Sequence, residues 1–450
     1  MLGRADLWMC PTARYAPNET RGQSGHKSGR ESFGFVASPN AHLERDKSLV
    51  SFARIEPDVT FAALMQPHLQ QTREQANSSQ VALLVQDTTD IDLSHRNKIS
   101  GVGQIGNERG RGFFVQTVLA VRPETRNILG CMAQEPFVRI AAPEGEQRHQ
   151  RWKREERETD VWIHQVQDIG TPDAESTWVH VGDRGADMFP FFRACQATQT
   201  HFLVRAAQNR RVEQSEDDLR YSLDRARSWP SQASRPLEVP ARHGHKARST
   251  QIELSFGQMT LLPPRHDPRG NKEPLTVWVI RVWEEQAPEG EEPLEWLLLT
   301  SIPTTTLEQA WERVDWYRLR WLVEDYHQCL KSGCRIEQRQ LQSVDGLMRL
   351  LGLLSPLAVR LVQVREGARQ EPERPAHEVI DPLTLAILTE RCGGSPATMT
   401  LAAFWTEVAR LGGYLARRHD GPPGWRTIWK GWLALQALLE GAHLAFHLRL

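Results

Sequence analysis

At 450 residues with 40% hydrophobic content, the chain exceeds one ordinary core and can bury two or three domains. Its 55 basic and 56 acidic side chains leave a net charge of −1, which excludes a global field directed at nucleic acid but not a local basic groove. Six scattered cysteines without a CxxC pair argue against a zinc ribbon or disulfide framework and fit a reducing cytosol. With no run of about 18 apolar residues and no apolar core in the start MLGRADLWMCPTARYAPNE, neither a membrane nor export is expected.

Residues 1–50 are rich in Gly, Ser, Arg and Asn and read as irregular. A helix is predicted over FAALMQPHLQQTREQAN (61–77), then a buried strand over VALLVQD (81–87) that ends on an Asp. GFFVQTVLAVR (112–122) and ILGCMAQEPFV (128–138) flank the turn PETRN as a hairpin. The charged segment 144–168 reads as a surface helix closed by Gly170 and Pro172. WVHVGDRGADMFPFFRACQA (178–197) gives a strand ending at Asp183 and then a helix, and HFLVRAA (201–207) gives a further strand. This alternation implies a mixed sheet with helices on its faces.

Residues 208–293 break into Pro-rich and basic segments with short alternating runs such as TVWVIRVW (276–283), the profile of an inserted β-rich subdomain. The core resumes at LEWLLLTS (294–301), followed by a helix whose start carries a Thr305–Glu308 capping box. Beyond it, LMRLLGLLSPLAVRLVQVRE and LAAFWTEVARLGGYLARR are amphipathic and predict an all-α C-terminal region.

Two carboxylates follow apolar strands directly. If the strands of Asp87 and Asp183 lie side by side, these groups meet at the strand ends, where reacting groups cluster in α/β sheets. Asp90, Asp92 and Asp187 are rivals by the same logic, and Asp187 can equally cap the following helix. In WYRLRWLVEDYHQCLKSG (316–333), a continuous helix would put Tyr317, Arg320, Glu324 and Lys331 within roughly a 60° arc, with Trp321 beside them. Leu319, Val323, Tyr326 and Leu330 would line the opposite face. That polar face is either a solvated one with an Arg320–Glu324 pair at i,i+4 or a chemical one. Three hard carboxylates suit Mg²⁺ or Mn²⁺ rather than zinc, and two such ions can drive phosphodiester cleavage. Tyr317, Arg320 and Lys331 would then supply donors and charge for phosphate oxygens.

QDTT (86–89), VGDRGAD (181–187) and the spacing Tyr-x2-Arg-x3-Glu-x6-Lys from Tyr317 to Lys331 together resemble the bacterial cut-and-paste DDE transposases of the insertion-sequence-four group, over residues 50 to 440. The resemblance implies that Asp87, Asp183 and Glu324 form a catalytic triad holding two Mg²⁺ ions, with Mn²⁺ as a substitute, on a ribonuclease-H-like core (81–207 and 294–335). It implies further that Tyr317, Arg320 and Lys331 hold DNA near the cleaved end. Such enzymes nick a transposon end, form a hairpin through the freed 3′ hydroxyl, open it and join the end to target DNA. By the same resemblance 208–293 carries DNA contacts, with Arg242, Lys246 and Arg248 in a basic stripe; a solvated loop is the alternative. Arg205, Arg210 and Arg211 are placed to add phosphate contacts near the site, and Trp296 either stacks on a flipped base or is a buried strand residue.

The helical region 336–450, with Trp405, Leu411, Trp429 and Trp432, resembles the part that such transposases use to form a homodimer in a synaptic complex; an ordinary core explains these residues equally. A bacterial, cytoplasmic and nucleoid-associated protein is implied. Family members usually begin with a helical domain that reads the terminal inverted repeat. Here 1–50 shows neither its periodicity nor its basic helices, and 51–80 is the expected remnant, with DKSLVSFARIEPDV (46–59) faintly similar to its end. An active transposase, an N-terminally impaired remnant or inhibitor that pairs with intact subunits, and a processing nuclease of the same fold are the competing functions.

Overall fold

The computed structural model describes residues 59–448, apart from 107–108, 141–142, 144, 148–149, 151–156, 215–218, 240–247, 266–271 and 418–419. The irregular segment expected at 1–50, most of the remnant's first part, the start of the charged segment from 144, and Arg242 and Lys246 lie outside the described residues.

Ten strands make one mixed sheet: β1 (Val81–Asp92), β2 (Gly103–Ile105), β3 (Gly110–Arg122), β4 (Asn127–Phe137), β5 (Thr177–Gly182), β6 (His201–Arg205), β7 (Ala233–Val239), β8 (Arg248–Leu261), β9 (Leu275–Trp283) and β10 (Glu295–Thr300). Their order is β2-β3-β1-β5-β6-β10-β9-β8-β7, with β4 on β3. Only β1–β5 and β5–β6 pair in parallel among the described pairs. The unbroken apolar run of β1 follows from its central place, since both faces are covered. Leu83 and Val85 enter one core, and Ala82 and Leu84 enter another with Trp178. This mixed sheet with helices is consistent with the α/β, ribonuclease-H-like core expected from the sequence.

Four expectations change. Strand β1 does not end at Asp87 but continues to Asp92, because β3 keeps pairing with it after the parallel ladder to β5 has stopped at Val85↔Val181. The segment 208–293 adds β7, β8 and β9 to the same sheet through β10, and so extends the core. Helix α2 (Val161–Ile169) is an inward helix, with Val161, Trp162, Ile163, Val166 and Ile169 buried; the charge of the preceding residues masked this apolar spacing. Helix α1 (Phe61–Asn77), capped by Thr60, lies against β4 and a long C-terminal helix, as part of this body.

Helix α3 (Phe189–Ala197) packs beside α2, and α4 (Ser222–Ser228) lies in the insertion. After β10 come α5 (Leu307–Arg318) and α6 (Trp321–Gln328), then a π-helical turn (Cys329–Gly333). The cap of α5 is Thr306, whose hydroxyl accepts from Gln309 N, one residue later than the predicted box. Beyond it lie α7 (Val344–Gln370), α8 (Pro382–Cys392), α9 (Leu401–Leu411) and α10 (Trp425–Leu448). Helix α7 has the length and apolarity of a membrane span, yet it packs on α1, β4 and α9 and buries Leu347, Leu351, Ala358 and Val362.

Of the tryptophans left open between a dimer face and an ordinary core, Trp405 and Trp429 are internal and Trp432 is half-buried. Trp405 and Trp429 are buried, Trp405 donates to the Val364 carbonyl at 3.0 Å, and its ring stacks on Trp432 at 6.1 Å. Helices α9 and α10 meet at two glycines: a Cβ on Gly431 would lie 1.7 Å from the Val408 carbonyl oxygen, and one on Gly412 would lie 1.9 Å from that of Thr427. Gly431→Ala should therefore force the helices apart and lower stability by about 1–3 kcal/mol in urea unfolding. An unchanged midpoint would mean that the crossing yields without cost.

Candidate active site

The register of the two central parallel strands sets the site. Val85 faces Val181, and side chains alternate along a strand, so the residues two further on, Asp87 and Asp183, emerge on the same face of adjacent strands. Asp87 Oδ1 accepts from Thr88 N at 2.8 Å, and Asp183 Oδ1 accepts from Gly185 N at 2.7 Å as the cap of the turn Arg184–Ala186.

The third carboxylate arrives on a helix that is not continuous. Between α5 and α6, the amides of Leu319, Arg320, Leu322 and Val323 bond to carbonyls three residues back, which overwinds the junction. After α6, Cys334 N reaches back to Cys329 O across the π turn, which underwinds it. The face expected from uniform helical spacing is therefore redistributed. Arg320 and Glu324 stay together, whereas Tyr317 is buried against Trp296 with ring centroids 5.9 Å apart, and Lys331 swings to Asp90 Oδ1 at 2.5 Å.

Arg320 is the hinge of the arrangement. Its side chain is buried, with Nη2 2.5 Å from Glu324 Oε1 and Nη1 3.6 Å from Asp87 Oδ2. Burial opposes its charge most strongly, but Tyr317, Asp87, Glu324 and Asp183 together raise its proton affinity above the ordinary value. Asp87 shows the reverse balance: burial raises its carboxyl, Arg320 lowers it, and Asp183 and Glu324 raise it again, leaving it pushed up to about 7. The three carboxylates thus lie within each other's field. Their hard, anionic oxygens fit Mg²⁺ in donor type, but as they stand no three His, Cys, Asp or Glu side chains among the described residues converge as an ion cage. The guanidinium lies between two of them instead.

A buried polar network holds α6 in place. Gln134 Nε2 donates to the Tyr326 hydroxyl at 2.8 Å and to Thr117 Oγ1 at 3.1 Å, and Ser355 donates to Gln134 Oε1 at 2.7 Å. Thr117 is the cross-strand partner of Asp87, so one glutamine ties the helix of Glu324 to the strand of Asp87. Sequence reasoning gave no role to this network or to His327, which is buried beside the site. Burial first, then Lys331 and Arg320, lower His327 to about 3 and keep it neutral. Its place three residues after Glu324 was the available signal.

Several expected DNA contacts face inward. Arg210 is buried, pairs with the Asp187 carboxylate and donates to its carbonyl at 2.7 Å. Asp187 does not cap the following helix, whose N-cap position is Met188; its Oδ2 also accepts from Ala207 N at 2.7 Å and Gln208 N at 2.9 Å. Arg205 is buried and donates to the Glu295 carbonyl at 3.1 Å. Arg248 is paired with Glu284 and, at 2.9 Å, with Glu291. Half-buried Arg211 reaches the Pro263 carbonyl at 3.3 Å. Trp296 is in the core, 7% exposed, with its ring against Tyr317. A guanidinium satisfied by buried acceptors would have to abandon them to meet a phosphate.

The family model described as Transposase DDE domain matches residues 163–359. This match supports a DDE transposase. The matched segment runs from α2 into α7 and contains Asp183 and Glu324; Asp87 precedes it. A DDE transposase domain implies an enzyme that cuts or transposes DNA and generally uses a divalent metal.

Asp87 provides a pH test. Held near 7 in the folded protein and at an ordinary carboxylate value when unfolded, it binds its proton more tightly when folded. Its contribution to stability is full below about pH 4 and is lost as pH rises through about 7. Asp87→Asn should flatten this part of the stability curve and raise the metal-free Tm at neutral and higher pH relative to the native chain. Thermal unfolding in chelator at a series of pH values reads it; parallel curves for the two proteins would refute the shift.

Proposed function

We propose that this chain is a cut-and-paste transposase of the insertion-sequence-four group, which cleaves transposon ends through a hairpin and joins them to target DNA. One observation carries the reading: the carboxylates of Asp87 on β1, Asp183 just past β5 and Glu324 on α6 lie in one another's field, and a buried guanidinium sits against Asp87 and Glu324. Such clustering of like charge is costly without cations, and it suits a site where phosphate and metal are handled together. A pair of Mg²⁺ ions, or Mn²⁺ in their place, held by Asp87, Asp183 and Glu324 would supply Lewis acidity at phosphorus and an activated water or hydroxyl.

The remaining work belongs to the chain's own cations. Arg320, backed by buried Tyr317, would take the oxygens of the scissile phosphate in a forked contact, and Lys331, now on Asp90, would hold a neighbouring phosphate. Water and then the freed 3′ hydroxyl would attack in line at the same carboxylate cluster. Two copies bridging two ends, in the bacterial cytoplasm at the nucleoid, complete the proposal and rest on the family resemblance.

The deciding experiment uses labelled DNA carrying the element's own terminal repeat, with Mg²⁺ and then Mn²⁺, and compares the native chain with Glu324→Ala. The native protein should cut and hairpin the end, and the variant should bind it with cleavage reduced below detection. Equal cutting by the variant would sink the assignment. Failure of both proteins to bind the end would favour the second reading, a remnant or inhibitor that acts by pairing with an intact subunit.

A further inference from the structure

The most unusual feature of the site is where its arginine sits. Arg320 begins α6 at the overwound junction, and its own side chain makes no capping bond there. Instead it reaches along the helix to Glu324 at 2.5 Å and across to Asp87 at 3.6 Å. These are two of the three carboxylates on which the metal-dependent reading depends. A divalent magnesium sits about 2.0–2.1 Å from its carboxylate oxygens and retains a nearly octahedral shell. A guanidinium nitrogen already at hydrogen-bond distance from Glu324 occupies that space, and its positive charge repels an incoming ion. Among the described residues, no three His, Cys, Asp or Glu side chains converge as an ion cage as they stand. Lys331 is engaged in the same way by Asp90 at 2.5 Å, so both expected phosphate-binding cations rest on acidic side chains.

We propose that Arg320 is a built-in substitute for the metal and makes the site DNA-gated: a DNA phosphate draws the guanidinium off Glu324 and Asp87, and the divalent ion then enters. The inference rests on the reading of Asp87, Asp183 and Glu324 as the metal-binding triad. Its driving force is an exchange of partners. The planar fork of Arg320 matches two phosphate oxygens as well as it matches a carboxylate, while the vacated carboxylates gain a doubly charged cation. Neither half of the exchange is favourable alone: metal without phosphate must expel a buried guanidinium, and phosphate without metal leaves carboxylates facing one another. Binding of the two ligands is therefore positively coupled, and linkage makes the coupling equal in both directions. The consequence is a nuclease site that stays unloaded until DNA is seated.

The test measures Mn²⁺ binding to the full chain by the electron paramagnetic resonance signal of free Mn²⁺, so it does not depend on turnover. Native protein should bind Mn²⁺ weakly alone and roughly 5–150-fold more tightly with a short DNA duplex, the usual span of coupling between two ligands. Arg320→Gln should bind Mn²⁺ more tightly than the native chain without DNA and should lose most of the gain from the duplex. The duplex series on the native chain needs no variant, so indifference to duplex overturns the gate even if the substitution disturbs folding, which circular dichroism monitors; the loss of the gain in Arg320→Gln is what separates the gate from direct ligation of the ion by phosphate. Native affinity indifferent to duplex, or Arg320→Gln binding no tighter than native, overturns the gate. Asp87→Asn separates the two levels. Loss of Mn²⁺ binding in that variant keeps the triad reading whatever happens to the gate, and unchanged binding removes both.

Discussion

Like charge gathered in a half-buried place is the constraint on which this structure turns. Asp87, Asp183 and Glu324 come from a strand, the turn after a second strand and a helix far apart in sequence, and burial first, then repulsion from the other two carboxylates, pushes Asp87 up to about 7 against the pull of Arg320. The buried guanidinium of Arg320 lies against two members of this cluster, Asp87 and Glu324. The cost is sustained because each of the elements that meet here is fixed by other forces.

Those forces lie in the sheet and beneath it. Parallel pairing of β1 with β5 fixes the two aspartates at one level, and the apolar faces of both strands are committed to cores on either side. A one-residue slip would turn both carboxylates into the opposite core. The helix of Glu324 is held by Tyr326 through Gln134, which also bonds Thr117 on the strand next to Asp87. Apolar burial thus sets the positions, and a small satisfied polar network sets the angle of the helix.

The basic residues show how local charge and available charge differ. Arg210, Arg205 and Arg248 read as phosphate ligands because they follow a core strand or lie in a basic stretch. In the fold each has found an acceptor: Asp187, the Glu295 carbonyl, or Glu284 with Glu291. These partners lie well away in sequence: Arg210 ties the insertion to the core, Arg205 joins two core strands, and Arg248 ties strands within the insertion. Arg320 and Lys331 differ because their partners are the site's own acidic groups, which can exchange them for other cations.

The sequence by itself determined the succession of strands and helices, the mixed sheet, and the positions of Asp87, Asp183 and Glu324. Apolar runs, turn residues and motif spacing are local signals, and they remain valid whatever surrounds them. The tertiary structure alone decided the rest. The extension of β1 past Asp87 depends on β3, and the inward face of α2 depends on the sheet beneath it. The burial of Trp405 and Trp429 depends on how the C-terminal helices pack. Above all, the break at Leu319 and Arg320 leaves no mark in hydrophobic periodicity, because a turn of hydrogen bonds three residues apart is set by what the flanking helices must reach. That turn is why Tyr317 is buried and Arg320 faces the carboxylates.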